Sequence, residues 1–177
     1  IVRELVPWID ARYRTLAAPR ARGVAGFSMG GYGAIMLSMK HPDTFGSVYA
    51  LSPCCIGLLG DLGPDNPGWA NAGRLQSRAA MKSDFGSAEE SFPIFVTALA
   101  AALSPNPERP GLYVDLPFAS VDGQLRPSEP GYSAWKSRMP LYLAGQYQDN
   151  LRRLSGIGMD VGAEDEYAHI AAGARAW

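Results

Sequence analysis

In the stretch GVAGFSMGGYGAIMLSMKHPDTF a serine stands between two glycines, at the spacing Gly26-x-Ser28-x-Gly30. A serine hydroxyl attacks acyl carbonyls once a histidine takes its proton and a carboxylate fixes that histidine's tautomer. The spacing alone decides little, because 20 glycines in 177 residues give it an appreciable chance of arising by accident. The flanks decide. Ala21 to Phe27 is a short run of small and apolar residues suited to a buried strand, Ser28 to Met29 is the turn, and Gly30 to Lys40 reads as a helix packed through Ala34, Ile35, Leu37 and Met39. Strand, tight turn and helix form the context that lifts a nucleophile above the C-terminal edge of a parallel sheet. A Cβ at Gly26 or Gly30 is expected to collide as strand and helix fold back, while Gly31 and Gly33 let the helix approach the sheet. The rival is a phosphate-binding turn, but G-x-x-x-x-G-K-[ST] is absent and no acidic residue is placed for a ribose.

Ser28 is thus the candidate nucleophile. The backbone N–H of Met29, at the start of the helix, is the candidate donor to an oxyanion, and the Met29 side chain has no required role. For the acid, Asp165 follows the apolar run GIGMDVG by one turn; Asp160 inside that run and Glu164 beside it are rivals. The sequence holds only two histidines. His41 precedes Pro42 and all three candidate acids, and reads as a helix C-terminal residue favoured by the dipole. His169 follows Asp165 by four residues, a spacing at which two helical side chains meet, but a base must also reach Ser28. The order Ser, acid, His expects the base on a loop after a further strand, which places it beyond Trp177.

The elements that would position these groups follow the chain. Ile1, Val2, Leu5, Val6, Trp8, Ile9 and Tyr13 recur at helical spacing, ending near Leu16 to Pro19. Ser47 to Leu51 and Ile157 to Val161 read as further strands, Pro140 to Leu154 as helical, and a last helix starts at Glu166. Buried-type strands separated by helices predict an α/β fold, a parallel sheet covered by helices on both faces. Between Pro53 and Pro130 the segments GDLGPDNPG, SPNPERPG and VDGQLRPSEPG read as loops around two helices, Trp69 to Lys82 and Ser91 to Leu103. The expected organisation is one domain, with a core of residues 1–52 and 139–177 and a mainly helical cap insertion of about 53–138. Trp69, Phe92, Phe95, Tyr113 and Phe118 in that insertion could wall an acyl pocket, although helical aromatics more often form core.

Composition narrows the classes. Net charge is −1 with 19% charged residues interspersed, so no basic stripe offers itself to nucleic acid. The longest apolar run, Phe92 to Leu103, contains Pro93 and Thr97 and falls short of the roughly 20 residues of a membrane span. Cys54 and Cys55 are neighbours, whereas disulfides favour Cα atoms about 5.5 Å apart, so two reduced, partly buried thiols are expected. Such a pair leaves both cytoplasm and export open.

Gly26 to Pro53 and Gly156 to His169 resemble the putative-esterase family of α/β-hydrolases, which includes S-formylglutathione hydrolases, feruloyl and acetyl-xylan-type esterases and mycolyl transferases. The first segment carries the elbow, its helix, the HPDTF turn and a strand ending in Ser-Pro; the middle of the chain resembles no family. The resemblance implies Ser28 as nucleophile, Met29 as one oxyanion donor and Asp165 as the triad acid, acting on a small-molecule or carbohydrate-linked ester without cofactor or metal. It also implies strands before Ile1 and a histidine-bearing segment after Trp177, so the chain is expected to be an incomplete domain with little activity alone. Two other outcomes stay open: a non-catalytic binding scaffold, and acyl transfer to an acceptor alcohol from the same serine.

Overall fold

The computed structural model describes residues 1–81 and 88–177. In chain order the first elements are α1 (Leu5–Arg12), β1 (Gly23–Phe27), α2 (Met29–Lys40) and β2 (Ser47–Leu51). There follow α3 (Gly68–Arg74), α4 (Ala88–Leu103), β3 (Phe118–Val121), β4 (Gln124–Pro127) and α5 (Gly131–Lys136). The chain closes with α6 (Pro140–Leu143), α7 (Gln148–Arg152), β5 (Gly156–Asp160) and α8 (Ala168–Ala176). It divides into two compact units, Ile1–Gly57 with Pro140–Trp177, and Leu58–Met139.

The first unit is built on a parallel sheet of order β1-β2-β5 flanked by helices, with the coverage expected on both faces found on one. Register aligns Phe27 with Leu51 and Leu51 with Asp160, so the three strands end level. The sequence expectations locate these strands within two residues; Pro19–Ala21 forms a 3-10 turn, which delays β1 to Gly23. Ile35 of α2, Ala50 of β2 and Ile56 form a buried cluster, with Tyr32, Met159 and Trp177 against it. Ala50 and Met159 are register partners, so α2 and the end of α8 share one face of the sheet. On the opposite face Phe27, Tyr49 and Leu51 remain 70%, 42% and 41% exposed. Alternation along a strand puts these three residues on the side away from α2.

Two expected helices are shorter than their apolar spacing suggests. α1 stops at Arg12, where Tyr13 turns extended (φ −123°, ψ 158°), and none of its residues is buried. Its Asp10 carboxylate takes the Thr15 hydroxyl at 2.7 Å and the Arg22 guanidinium at 2.6 Å, fixing the turn that leads away. The helical stretch from Pro140 to Leu154 splits into α6 and α7, with Gly145, a poor helix former, in the gap.

The second unit departs further from expectation. The helix expected over Trp69 to Lys82 ends at Arg74, where Leu75 is extended, and Lys82 lies outside the described residues. The segment VDGQLRPSEPG, expected as loop, instead contributes to the antiparallel hairpin β3-β4. Asp122 and Gly123 take φ of 51° and 75°, the left-handed pair of a two-residue type I′ turn, for which Asp-Gly is a strong local signal. Trp69, 0% exposed, lies at the centre of this unit: Phe92, Phe118 and Trp135 meet its ring edge-on at centroid distances of 5.2, 5.3 and 5.6 Å. Its indole N–H donates to the Gly63 carbonyl at 3.0 Å, and Trp135 donates to Ser104 Oγ at 2.7 Å. Trp69, Phe92 and Phe118 are therefore core residues, while Tyr113 is exposed. Trp69→Ala should destabilise this unit by about 3–5 kcal/mol, measured by urea denaturation with the fluorescence of the other tryptophans as probe.

Candidate active site

Ser28 follows β1 and opens α2, with φ 54° and ψ −118°, a backbone conformation that L-residues seldom adopt. Its carbonyl accepts the N–H groups of Tyr32 at 3.2 Å and Cys54 at 3.1 Å, and its own N–H donates to Leu51 O at 2.9 Å. The turn is thus tied to α2, to the loop after β2 and to the end of β2. The Ser28 side chain makes no capping hydrogen bond to the helix it precedes. The first N–H groups of a helix have no acceptor within it, and Met29, at the first helical position with its side chain 66% exposed, carries one of these.

The glycines divide differently from expectation. A Cβ on Gly26 would lie 2.0 Å from the Gly30 carbonyl oxygen, and one on Gly31 would lie 2.9 Å from Pro53 Cα. Gly30 and Gly33 have nothing within 4 Å of such an atom. The close approach is between the end of β1 and the backbone of the first helical turn, and between that turn and the loop after β2; the side of α2 carrying Gly33 faces open space.

Asp165 lies on the segment between β5 and α8, at the same C-terminal edge of the sheet as Ser28. Because β2 runs between β1 and β5, the two segments leave the sheet roughly 10 Å apart, two strand spacings. The Asp165 carboxylate accepts the Tyr167 N–H at 3.0 Å, which shapes the turn into α8. Asp160 is the last residue of β5 and takes the Tyr49 hydroxyl, on the exposed sheet face. Glu164 is exposed in the turn. Of the three acids, Asp160 is therefore committed to a neighbouring strand, and Asp165 is the partly buried one of the turn.

His41 caps the far end of α2, roughly 18 Å from Ser28 along a twelve-residue helix, too far to exchange a proton with it. His169 is not the partly exposed helical residue that the sequence suggests: it is 3% exposed, with a ring nitrogen within 4.8 Å of the Cys54 and Cys55 sulfurs. Those two cysteines are joined to each other, correcting the expectation of free thiols. Side chains of consecutive extended residues diverge, but Cys55 sits in the left-handed region (φ 62°), which turns the pair toward one side. A cavity of about 400 Å³ lined by the first residues of β1, β2 and β5 lies at the opposite end of the strands from Ser28 and takes no part in this arrangement.

A parallel sheet whose first strand turns through a positive-φ serine into a helix defines the α/β-hydrolase class. The family model described as "Putative esterase" matches residues 1–177, and the chain belongs to that family. An esterase of Mycobacterium tuberculosis is 48% identical over 46 residues, 26% of this chain and 10% of that protein. The S-formylglutathione hydrolases of Mus musculus and Rattus norvegicus are each 33% identical over 78 residues, 39% of this chain and 27% of theirs. The chain thus spans well under two thirds of these relatives. A ferulic acid esterase of known structure aligns with 93% of this chain and 53% of its own, at 18% identity and a TM-score of 0.32. No helix among the described residues is long and apolar enough to cross a membrane.

Two measurements test the packing around the serine. Gly26→Ala should cost about 3 kcal/mol, because backbone must shift to admit the methyl group, whereas Gly33→Ala should stabilise by about 0.5–1 kcal/mol. Thermal unfolding of the two variants reads the difference, and equal effects would contradict the close approach at Gly26. The hydrogen bond to the Asp160 carboxylate holds the Tyr49 phenol above its ordinary pKa. A raised folded-state value means that this bond's stabilisation is complete below about pH 10 and is lost as pH rises through the folded-state pKa. In a spectrophotometric titration Tyr49→Phe should remove a late-ionising tyrosine, and Asp160→Asn should return Tyr49 to the ordinary range.

Proposed function

We propose that this chain carries the nucleophile and acid of a serine carboxylic-ester hydrolase that works through an acyl-enzyme on Ser28. The observation that carries the reading is the backbone of Ser28, φ 54° on a turn between β1 and α2, in a chain of an esterase family. Ser28 Oγ adds to the ester carbonyl and the alcohol leaves. Water then attacks the acyl-serine, regenerating the hydroxyl and releasing the acid. Negative charge developing on the carbonyl oxygen falls at the N-terminus of α2, where the Met29 N–H and the helix dipole stabilise it. Asp165 orients the imidazole that moves the proton. That imidazole is assigned to neither His41, at the far end of α2, nor His169, buried against the disulfide. The substrates are small-molecule or carbohydrate-linked carboxylic esters, and the chemistry calls on no cofactor.

The test is labelling by a fluorophosphonate, which phosphonylates activated serines, on the longest polypeptide that the coding sequence specifies. Peptide mapping should find the label on Ser28 and none in Ser28→Ala, with the thermal midpoint of that variant unchanged. Asp165→Asn should lower kcat for a p-nitrophenyl ester by up to about 10⁴-fold, while Asp160→Asn should leave it within a few-fold. A label elsewhere, or none, sinks the proposal; Asp160→Asn being the damaging change would move the acid to the end of β5.

A further inference from the structure

Cys54, Cys55 and His169 come together from two separate parts of the first unit, the loop after β2 and the first turn of α8. All three are buried, the cysteines at 4% and the histidine at 3% exposure, and one donor atom of each lies within 4.8 Å of the others. The backbone around them is held from several sides. Cys54 N–H donates to the Ser28 carbonyl at 3.1 Å, and the Ile56 carbonyl accepts Leu141 N–H at 3.0 Å. α8 lies against the same loop so closely that a Cβ on Gly173 would come within 2.8 Å of Ile56 Cγ1. The three donors are therefore kept near one another by main-chain contacts, independently of the bond between the sulfurs.

We infer that Cys54, Cys55 and His169 form a redox-gated site for one thiophilic divalent cation, zinc being the natural fit, which opens when the disulfide is reduced. The disulfide takes two electrons and two protons from two equivalents of a cellular thiol. A thiolate attacks one sulfur, a mixed disulfide forms, and a second thiol releases the oxidised thiol dimer, leaving both cysteines as thiols. The cation then displaces the two thiol protons and takes a lone pair from the neutral imidazole, giving an S₂N set. Two thiolates cancel a double positive charge, which suits a buried position where an unpaired cation would be costly. Zinc lies about 2.3 Å from sulfur and about 2.0 Å from nitrogen, so donors in a tetrahedral set sit roughly 3.5–3.7 Å apart. The present spacing needs adjustments of at most about 1.3 Å on the histidine side, and the sulfurs separate once their bond is cut. Three protein donors leave a fourth position on the metal open. The site lies directly beneath the turn that carries Ser28, through the Cys54 N–H, and rests on no assumption about ester hydrolysis.

The experiment uses Cd²⁺ as probe, because thiolate-to-cadmium charge transfer absorbs in the ultraviolet. The chain is reduced with a phosphine, freed of it under inert gas, and titrated alongside the oxidised chain. The inference expects one Cd²⁺ per reduced chain, two protons released per cation, displacement by Zn²⁺, and no charge-transfer band in the oxidised chain or in Cys54→Ser. His169→Gln should weaken binding by at least the roughly 10–100-fold that loss of even an outer partner of a metal ligand costs. A reduced chain that takes up no Cd²⁺, or a His169→Gln variant that binds as the unaltered chain does, overturns it. Should these variants fail to fold, X-ray absorption at the zinc edge on the unaltered reduced chain decides: two sulfurs and one imidazole nitrogen support the site, and an all-oxygen shell refutes it.

Discussion

The structure turns on the backbone of one residue. Ser28 at φ 54° pays a conformational penalty of roughly 1–3 kcal/mol, since a side chain there crowds its own peptide groups. Three hydrogen bonds through its N–H and C=O, each worth about 1 kcal/mol net, are of the size needed to offset it. Those bonds come from the end of β2, the first turn of α2 and the loop after β2. Holding the serine in this conformation therefore requires β1 and β2 to end level, α2 to fold back over β1, and the chain beyond β2 to curl under the turn. Gly26 is the steric condition for that fold-back, and Gly31 is the condition for the curl.

The parts of the fold set by local chemistry were readable from residues alone. β2 matches Ser47 to Leu51, and the turn at Ser28 sits where glycine spacing and a following apolar helix place it. What could not be read depends on neighbours distant in sequence. The loop reading of VDGQLRPSEPG gave Pro and Gly more weight than the Asp122-Gly123 pair, whose left-handed turn decides the hairpin. His169 reads as a partly exposed helical residue because its burial is caused by the loop carrying Cys54 and Cys55, more than a hundred positions earlier. The disulfide was missed because average Cα spacing says nothing of a left-handed Cys55. Likewise Gly30 seemed essential by motif, but it is its carbonyl oxygen, facing Gly26, that matters.

The two units solve different packing problems. In the first, small residues predominate where backbone must approach backbone, and the side chains of Ile35, Ala50 and Ile56 fill the space left over. In the second, a single indole organises the core, with three aromatic rings around Trp69 and both buried indole N–H groups finding oxygen acceptors. This is how a segment rich in Pro and Gly, with one long helix and otherwise short elements, still excludes water: a few large rings bury much area for each residue they order. Trp69, Phe92 and Phe118 are thereby spent on this unit's own core, and a substrate-contacting role for any of them would require that core to open.

The hydrogen bond from Leu141 to Ile56 ties together the two points at which the chain leaves and rejoins the first unit. With both stalks pinned to each other at 3.0 Å, the sheet senses only that short clasp and not the length of the excursion it closes. Doubling the number of residues in such an excursion costs only about 0.6 kcal/mol of closure entropy. The clasp makes residues 58–139 a cassette: this stretch can lengthen, shrink or be exchanged over generations while the sheet that carries the Ser28 turn keeps its geometry.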